Sequence, residues 1–362
     1  MDILHITEKQ QIFWDQYVST HDCGHFMQSY AWGELRQTQG WTIDRLMVLE
    51  NGCPLAAMMI QSKWIPFLKK RIAYCPRGPV FNPGRMDALA LLTKTAWRLS
   101  GVIMLRCDPY FRCDSAYTTE MLHAGWTPTN WEWSHWNNPR NVMWLNIDCG
   151  LETLMRKLGS SRRSEIRKPE KNGVVFEIVN EWGLDSFHAL MVETAHNKQI
   201  AVHDKEYYAR LHQTLAKYDM VALFMARYEN QHIATGMSIR YGQKAWLMYA
   251  ASTKAHFKLG ANRTLQMRMI EWAINAGCTL YDLRGSATHF PPRETDPGYG
   301  VYEFKKSFGA ELVSLSPYFN YAPNLLAKWL PPFMDEVAVP AIYWAAKMRN
   351  KTLSLSGSAD NE

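Results

Sequence analysis

The stretch Tyr281-Asp282-Leu283-Arg284-Gly285-Ser286 has the composition of a short buried strand with a glycine near its end. A loop rich in proline and glycine follows, and after it comes the run Phe304-Lys305-Lys306-Ser307-Phe308-Gly309. This succession of strand, loop and lysine is the most specific local pattern in the chain. A lysine held on a rigid element beside such a loop would supply the positive charge that an acyl-transfer site needs.

The strand of this pattern belongs to a series of secondary-structure elements that occurs twice along the chain. Each half of the chain runs as a β-hairpin, a helix, a glycine, a strand and an aspartate, which is Asp108 in the first half and Asp282 in the second. The first hairpin covers residues 42–60 with Asn51-Gly52 as its turn, and the second covers residues 220–240. Each following helix has apolar side chains on one face. We interpret this order as the duplication of one α/β unit.

The predicted fold is therefore α/β (α+β), with two tandem units within the 362 residues. We place the boundary between residues 149 and 150, because residues 142–148 have the pattern of a closing strand and an amphipathic helix follows them. The second unit then covers residues 150–316. The mostly polar residues 353–362 are predicted to form a disordered tail.

Composition favours a folded protein, since 47% of the residues are apolar and 20% are charged. The seven cysteines include no Cys-x-x-Cys pair, which argues against a disulfide framework or a zinc ribbon and favours the cytoplasm. No signal peptide is recognisable, and no apolar run approaches the roughly 20 residues that span a bilayer. The loop His21-Asp22-Cys23-Gly24-His25 lacks the partner spacing of a metal site, so no metal is predicted. A net charge of +6 does not by itself indicate a nucleic-acid partner, and no DNA binding is expected.

A basic segment lies near the start of the second unit. Two glutamates offset part of its charge, and its five cations are Arg162, Arg163, Arg167, Lys168 and Lys171. One interpretation is a solvated helix face with charge pairs three and four residues apart. The other is a phosphate-binding helix start, where serine hydroxyls, backbone N–H groups and arginines converge. The spacing alone does not separate the two.

Asp108 follows a buried strand, where carboxylates of α/β sheets often face a ligand. A raised pKa there would suit a general base, but an aspartate before Pro109 is equally typical of a turn cap. Residues 252–262 occupy the place where acyl-CoA N-acyltransferases carry a glycine-rich pyrophosphate loop. This segment has one glycine, Gly260, with no basic residue three positions before it. Pyrophosphate binding by this loop is therefore not expected.

Taken together, these segments resemble the Fem family (FemA, FemB, FemX), aminoacyl-tRNA-dependent transferases that build the interpeptide bridge of peptidoglycan. The resemblance implies two tandem N-acetyltransferase-like (GNAT) domains, the first completed by C-terminal helices at about residues 317–352. No sustained heptads occur between residues 150 and 310, so the chain is most similar to the FemX type, which lacks a coiled-coil arm. The matching segments are His25-Phe26-Met27-Gln28-Ser29 with Trp32, Arg77-Gly78-Pro79-Val80, Asp108-Pro109, residues 162–174, Glu206-Tyr207-Tyr208 with Leu211, Tyr249, Tyr281-Asp282-Leu283-Arg284-Gly285 and Phe304-Lys305.

The resemblance also implies roles for individual residues. Lys305, with Phe304 beside it, would bind the tRNA end and stabilise the oxyanion, and Asp108 matches the proposed base. Of the adjacent lysines, Lys305 rather than Lys306 is expected to face the site, because consecutive residues point apart. The implied substrate-binding residues are Arg36, Tyr207, Arg210, Tyr249 and Arg284. The implied tRNA- and phosphate-binding residues are Arg162, Arg163, Arg167 and Lys168, although Pro169 interrupts a segment that is usually free of proline.

The sequence thus leads to the hypothesis of an aminoacyltransferase that uses aminoacyl-tRNA as co-substrate and needs no cofactor. Its acceptor would be the stem peptide of UDP-MurNAc-pentapeptide or of lipid II. The competing hypotheses are an acyl-CoA-dependent N-acyltransferase of the same fold and an RNA-binding module, which the lack of RNP, KH or OB signatures disfavours. Aromatic and basic residues near the C-terminus would either contact the inner face of the membrane or form a docked helix: Tyr343, Trp344, Lys347 and Arg349.

Overall fold

The structure is a computed structural model, and it describes residues 1–65, 67–129, 138–198, 200–286, 289–324 and 328–331. The strands are β1 Asp2–His5, β2 Thr42–Glu50, β3 Cys53–Ile65, β4 Lys70–Cys75, β5 Val80–Phe81, β6 Val102–Cys107, β7 Trp126–Thr129, β8 Asn141–Asn146, β9 Val175–Val179, β10 Val221–Tyr228, β11 Gln231–Tyr241, β12 Lys244–Ser252, β13 Leu280–Gly285, β14 Glu311–Ser314 and β15 Tyr318–Tyr321. The α-helices are α1 Gln11–Thr20, α2 Tyr30–Thr38, α3 Met86–Arg98, α4 Ala116–His123, α5 Gly150–Lys157, α6 Ser160–Lys171, α7 Leu184–Lys198, α8 Lys205–Ala216, α9 Ala261–Asn275 and α10 Tyr299–Lys306.

The strands form two sheets with the same plan, which confirms the predicted duplication. The first sheet has the order β1-β2-β3-β4-β6-β15-β7, with β5 beside β3. The second has the order β9-β10-β11-β12-β13-β8-β14, so each of its seven strands has a counterpart in the first sheet, and β5 alone is additional there. Each sheet contains one parallel pair of strands, which is β4 with β6 in the first sheet and β12 with β13 in the second, and all other neighbouring strands are antiparallel. A connecting helix, α3 or α9, precedes the second strand of each parallel pair, as parallel connections require.

The predicted division between residues 149 and 150 is not where the sheets divide the chain. Strand β8, which we assigned to the first unit, pairs with β13 and β14 of the second sheet. The physical reason for the error is that β8 joins strands far along the chain, and a local pattern carries no information on pairing partners. The chain does return to the first unit, where strand β15 lies between β6 and β7, and the predicted C-terminal helices stay a prediction. Most of residues 317–352, and the predicted tail, lie outside the described residues.

Local sequence explains why the elements that hold the site begin and end where they do. On α3, the buried residues Ala88, Leu89, Leu92 and Ala96 have helical spacing and face the first sheet. The Ser29 side chain accepts a hydrogen bond from the Trp32 backbone N–H at 3.0 Å and so caps α2, an interaction typically worth about 1 kcal/mol. This cap sets the start of the helix that carries Arg36.

The two units are packed together by a hydrophobic core that contains residues of both. Trp14, Phe26 and Leu35 of the first unit belong to one buried cluster with Leu211 and Trp246 of the second. Hydrogen bonds cross the same interface from Tyr218 to Glu34 at 2.6 Å, from Tyr241 to Asp15 at 2.6 Å, and from Tyr110 to Asp282 at 2.8 Å. This packing fixes how the end of one sheet faces the end of the other.

Two further observations concern the predictions on metals and membranes. The ammonium of Lys244 donates to the carbonyls of His21, Asp22 and Gly24 at 2.6–3.0 Å, so the loop that superficially resembles a metal site is bound to a lysine of the second unit. Within the part of the chain that the structure describes, no helix has both the length and the apolar character needed to cross a bilayer. The longest helices there, α7 and α9, have 15 residues, so this part contains no coiled-coil arm.

Candidate active site

A cavity opens where β12 and β13 separate. The two strands pair over only three residues each, with Trp246 opposite Asp282 at the last step. Beyond this point a register shift against β11 places Leu247 and Tyr249 opposite consecutive residues, so that Met248 forms a bulge, and bulges bend the strand that contains them. The resulting cavity has a volume of about 540 Å³ and is lined by residues 247–254, the end of β13 and residues of α9 and α10.

Lys305 lies at the wall of this cavity and its adjacent lysine does not point inward. The Lys305 Nζ donates to the Gly285 carbonyl at 2.5 Å and to the Arg284 carbonyl at 3.4 Å, and the residue is 7% exposed. Burial lowers the pKa of Lys305 to about 7, with the Asp282 carboxylate acting in the opposite direction. The Lys306 side chain is 57% exposed and lies 3.7 Å from Glu303. Of the two adjacent lysines, Lys305 is therefore the one whose charge can act on a group inside the cavity.

A second, more open pocket of about 600 Å³ forms the mouth of the cavity. The two share Phe257, Gly300 and Phe304, so they are continuous along α10. Arg162, Arg263 and Lys306 line the mouth together with one acid, Glu303. Glu165 also pairs with both arginines, so three cations face two acids here, an excess of positive charge that suits the phosphates of a large donor molecule. Arg263 was not predicted from the sequence, because an arginine in the first turn of an ordinary helix carries no local signal.

The remaining cations of the predicted phosphate-binding group have other positions. The Arg163 guanidinium donates to the Leu158 carbonyl and so holds the turn between α5 and α6. Arg167 and Lys168 are exposed on α6, outside the lining of both pockets. Helix α6 continues through Pro169 to Lys171, so this proline does not end the helix. Of the four predicted residues, Arg162 alone lines the mouth.

Asp108 directly follows β6, at the end of the first sheet where β4 and β6 remain paired up to Cys75 and Cys107, and it is 2% exposed. Its Oδ1 accepts from the Tyr74 hydroxyl at 2.7 Å and from the Arg77 backbone N–H at 2.8 Å, and its Oδ2 accepts from Asn138 at 3.0 Å. The Arg77 guanidinium lies 3.6 Å from Oδ2. Burial raises the pKa of Asp108, while Arg77 and the hydrogen bonds oppose the increase. Asp108 is thus more than a turn cap, because it organises a buried polar group.

Asn138 and Arg284 connect this polar group to the cavity. The Arg284 Nη2 donates to the Asn138 Oδ1 at 3.3 Å, while the Asn138 amide nitrogen donates to Asp108. Arg284 adopts a φ of 60°, in the left-handed region that non-glycine residues rarely occupy. Its backbone N–H donates to Asp282 at 2.6 Å, and its carbonyl accepts from Lys305. A continuous set of contacts therefore runs from Asp108 in the first unit to Lys305 in the second.

Three of the predicted substrate-binding residues, Arg36, Tyr207 and Tyr249, form a group where the two units meet. The Tyr249 hydroxyl donates to the Tyr207 hydroxyl at 3.3 Å, and Tyr249 also lines the cavity. The Arg36 guanidinium is 4.8 Å from the Trp41 ring and donates to Gln61 at 3.1 Å. Burial lowers the pKa of Arg36, and the nearby Tyr207 and Tyr249 hydroxyls act in the opposite direction.

Arg210 is not brought into this group. It is exposed on α8 and, within the part of the chain that the structure describes, makes no hydrogen bond or ion pair. Sequence reasoning also missed residues that the structure places at the centre of the site. Arg77 and Asp282 lay inside motifs that we quoted without assigning them a role, and Asn138 lay in no motif.

Comparison with known proteins agrees with this geometry. The model of the FemAB family matches residues 9–231 and 215–331. The chain is 28% identical over 301 residues to the UDP-N-acetylmuramoylpentapeptide-lysine N(6)-alanyltransferase of Weissella viridescens, covering 78% of this chain and 87% of that protein. It is 22% identical over 402 residues to the lipid II:glycine glycyltransferase of Staphylococcus aureus strain USA300, covering 90% and 93%.

Solved structures show the same fold. The crystal structure of FemX superposes with a TM-score of 0.83 at 20% identity and covers 92% of this chain and 100% of its own. A tandem GNAT protein from the clavulanic acid biosynthesis pathway superposes with a TM-score of 0.52 at 9% identity, covering 88% and 97%. The predicted fold of two tandem GNAT-like domains is confirmed. Because the family model covers most of its length, this chain belongs to the FemAB family.

Proposed function

We propose that this protein transfers an amino acid from aminoacyl-tRNA to a side-chain amine of the stem peptide of a peptidoglycan precursor. The two relatives described above are named for alanyl transfer to the lysine of UDP-MurNAc-pentapeptide and for glycyl transfer on lipid II. The observation that carries the proposal is the cavity that opens between β12 and β13, with the Lys305 ammonium at its wall and cations at its mouth. The contacts through Asn138 and Arg284 connect Lys305 at this wall to Asp108.

On the donor side, the tRNA phosphates would lie at the mouth beside Arg162 and Arg263, and the aminoacyl ester would enter the cavity. The acceptor amine attacks the ester carbonyl, a C–N bond forms, and the C–O bond to the terminal ribose breaks. The negative charge that develops on the carbonyl oxygen is stabilised by the Lys305 ammonium, which lies buried where water screens it little. The ribose oxygen leaves as a hydroxyl after it receives a proton, which balances the proton that the attacking amine loses.

On the acceptor side, the stem peptide would lie beside Arg36, Tyr207 and Tyr249, in what we call the acceptor cleft, and would reach the same carbonyl past Tyr249, which also lines the cavity. Asp108 is the proposed acceptor of the proton that the attacking amine loses, and its raised pKa suits that role. Its Oδ2 accepts one hydrogen bond, from Asn138 at 3.0 Å, so this oxygen has a lone pair left for a second donor. Arg210, exposed on α8, remains a predicted contact for a distal part of the acceptor.

The proposed chemistry needs no cofactor, because the tRNA ester already carries an activated acyl group. The location in the cytoplasm remains a prediction. So does membrane contact through the aromatic C-terminal stretch, since Tyr343, Trp344, Lys347 and Arg349 lie outside the described residues.

An acyl-CoA-dependent N-acyltransferase is the second candidate, because the cations at the mouth would also fit a pyrophosphate. One assay separates the two. The protein is incubated with charged tRNA and UDP-MurNAc-pentapeptide, with or without ribonuclease treatment of the tRNA, and in parallel with acyl-CoA. We expect an aminoacylated product that ribonuclease abolishes and acyl-CoA does not restore. A product that forms only with acyl-CoA would replace the tRNA hypothesis.

A further inference from the structure

The tip of the hairpin between β3 and β4 exposes three large apolar side chains. The sequence there is Lys63-Trp64-Ile65-Pro66-Phe67-Leu68-Lys69-Lys70. Phe67 is 104% exposed, Leu68 is 61% exposed and Trp64 is 48% exposed. Single exposed apolar residues are common on proteins, but three within five positions at the tip of a hairpin indicate a contact surface.

The backbone of the tip holds these side chains away from the rest of the protein. Phe67 has a φ of 67° and Lys69 has a φ of 45°, both in the left-handed region. For residues other than glycine this conformation costs free energy, so the surrounding structure must stabilise it. Behind the tip, the Trp64 indole N–H donates to Thr42 at 3.2 Å, which anchors the ring while half of it faces solvent.

All the charged side chains of the hairpin itself are positive, and Asp44 on the neighbouring strand β2 is paired with Arg71. Lys63, Lys69 and Lys70 are exposed, and the entire segment 51–86 contains neither Asp nor Glu. Among the described residues, Lys69 and Lys70 take part in no ion pair. Apolar groups surrounded by lysines match the surface of an anionic bilayer, in which the rings and aliphatic chains enter the headgroup region and the ammonium groups meet the phosphates.

The tip also lies next to the acceptor side of the site. The Trp41 ring lies between the two, with the Arg36 guanidinium 4.8 Å and the Lys63 ammonium 5.0 Å from its centre. Lys63 donates to the carbonyls of Gln39 and Gly40, just beyond the helix that carries Arg36. In a lipid-linked precursor the diphosphate is attached directly to the lipid, so it lies in the headgroup plane. An apolar tip beside the acceptor cleft would serve such an acceptor and would be of no use for a soluble one.

We propose that the hairpin tip, consisting of Trp64, Phe67 and Leu68 with Lys63, Lys69 and Lys70, inserts into the headgroup region of an anionic membrane and presents the acceptor cleft to a lipid-linked precursor. The choice of acceptor rests on the proposed function, whereas membrane binding by the tip does not. The tip is thus an interaction surface for lipid, formed by the first unit alone.

The first test measures binding of the full-length protein to vesicles by flotation. Vesicles of equal parts phosphatidylglycerol and phosphatidylcholine are compared with pure phosphatidylcholine, at low and high salt. We expect binding to the anionic vesicles that high salt weakens. The Phe67→Ser/Leu68→Ser double variant should reduce the partition coefficient at least about tenfold, since both side chains lose their apolar contact with lipid. Lys69→Gln/Lys70→Gln should weaken binding to the anionic vesicles alone.

Ile12→Ser is the matched control, because Ile12 on α1 is 82% exposed and far from the tip in sequence. It should bind vesicles as the wild type does, and circular dichroism confirms that each variant is folded. Vesicle binding by Phe67→Ser/Leu68→Ser equal to that of the wild type would overturn the proposal. So would a wild-type oligomer that this double variant converts to monomer, since a second copy of the chain would then be the partner of the tip.

The second test separates this proposal from the proposed function. Aminoacyl transfer is measured with a lipid-linked acceptor in the anionic vesicles and with UDP-MurNAc-pentapeptide in solution. We expect Phe67→Ser/Leu68→Ser to lower the rate on the vesicles at least about tenfold and to leave the rate in solution unchanged. An equal loss on both acceptors would contradict a role for the tip in membrane docking. If the wild type uses neither acceptor, the proposed function fails, and flotation still decides membrane binding.

Discussion

The parallel strand pairs of the two sheets end in different ways, although the sheets share one plan. In the first sheet β4 and β6 remain paired up to Cys75 and Cys107, and the polar group around Asp108 closes the end. In the second sheet the pairing of β12 and β13 ends at Trp246 and Asp282, and a cavity opens beyond it. The comparison shows how duplication of one unit allows the two copies to serve different purposes. One copy is closed and holds charged groups in place, while the other is open and can receive a substrate.

The first prediction concerns a variant that disrupts the closed end of the first sheet. Arg77→Ala removes the cation that faces the buried Asp108 carboxylate, so it should lower the free energy of unfolding by about 3–5 kcal/mol. Arg85→Ala, at an exposed pair with Glu50 and Asp87, should leave it nearly unchanged. Urea denaturation of the three proteins measures both. Equal stability of Arg77→Ala and the wild type would mean that this end is not held by the ion pair.

The second prediction concerns the open end. Lys305→Ala should lower the rate of aminoacyl transfer by a factor on the order of 10²–10³, the scale for loss of one oxyanion donor. Lys94→Ala, an exposed lysine on α3, should stay at the wild-type rate. Single-turnover kinetics with saturating charged tRNA provides the measurement. A Lys305→Ala rate within tenfold of wild type would remove this lysine from the mechanism.

A third prediction uses pH to identify the active form of Lys305. Its pKa is about 7, so the ammonium is lost as the pH rises through 7, and transfer should slow over the same range. Lys305→Arg keeps a positive charge at all these pH values and should abolish the alkaline decrease, even if its rate is lower. The pH profile of the single-turnover rate constant tests this. A decrease that persists unchanged in Lys305→Arg would assign it to another group.

The same lowered pKa has a consequence for stability, with a definite sign. Between about pH 7 and 10.5 the unfolded chain binds a proton at Lys305 that the folded protein does not bind. This group therefore makes the free energy of unfolding increase as the pH rises through that range. Lys305→Met should remove that contribution, so its stability should vary less between pH 7 and 10 than that of the wild type, as urea denaturation at several pH values would show.

The smallest expected effect is at the mouth of the open end. Arg162→Ala should weaken binding of charged tRNA a few-fold and should reduce the slope of log K against log salt by about 1. Arg156→Ala on α5, exposed and outside the mouth, is the matched control. Filter binding over a series of salt concentrations gives both numbers. An unchanged slope in Arg162→Ala would show that tRNA phosphates do not reach this arginine.

Much of this fold could be predicted from the sequence because its signals are local. The hairpin with Asn51-Gly52 at its turn, helix α3 and strand β6 all occur where the apolar pattern placed them. The partners of β8 and β15 could not be predicted, because strand pairing depends on contacts between residues distant along the chain. The units were therefore divided in the wrong place.

Motifs in the sequence marked Lys305, which lines the cavity, and Asp108, which lies in the buried polar group, and their roles stay predictions. Residues that act through their neighbours carried no such mark. Asn138 contributes because the fold places its amide between Asp108 and Arg284, and no spacing along the chain reveals that. Arg77 likewise owes its position to a backbone turn with a φ of 54° that brings its N–H to Asp108. In contrast, Arg210 matched the family pattern by position, yet it is exposed on α8.

The central claim is that the open end of the second sheet receives the donor and that the acceptor binds elsewhere. Ala250→Phe fills the cavity from β12, and calorimetry can measure binding of two ligands to it: UDP-MurNAc-pentapeptide, and an aminoacyl-tRNA analogue with an amide in place of the ester. We expect the Kd of the tRNA analogue to rise at least about tenfold, which corresponds to about 1.4 kcal/mol, because the added ring takes up volume that the aminoacyl end would occupy, and the Kd of the acceptor to stay unchanged. An unchanged Kd for the tRNA analogue, or an equal rise for both ligands, would contradict the claim.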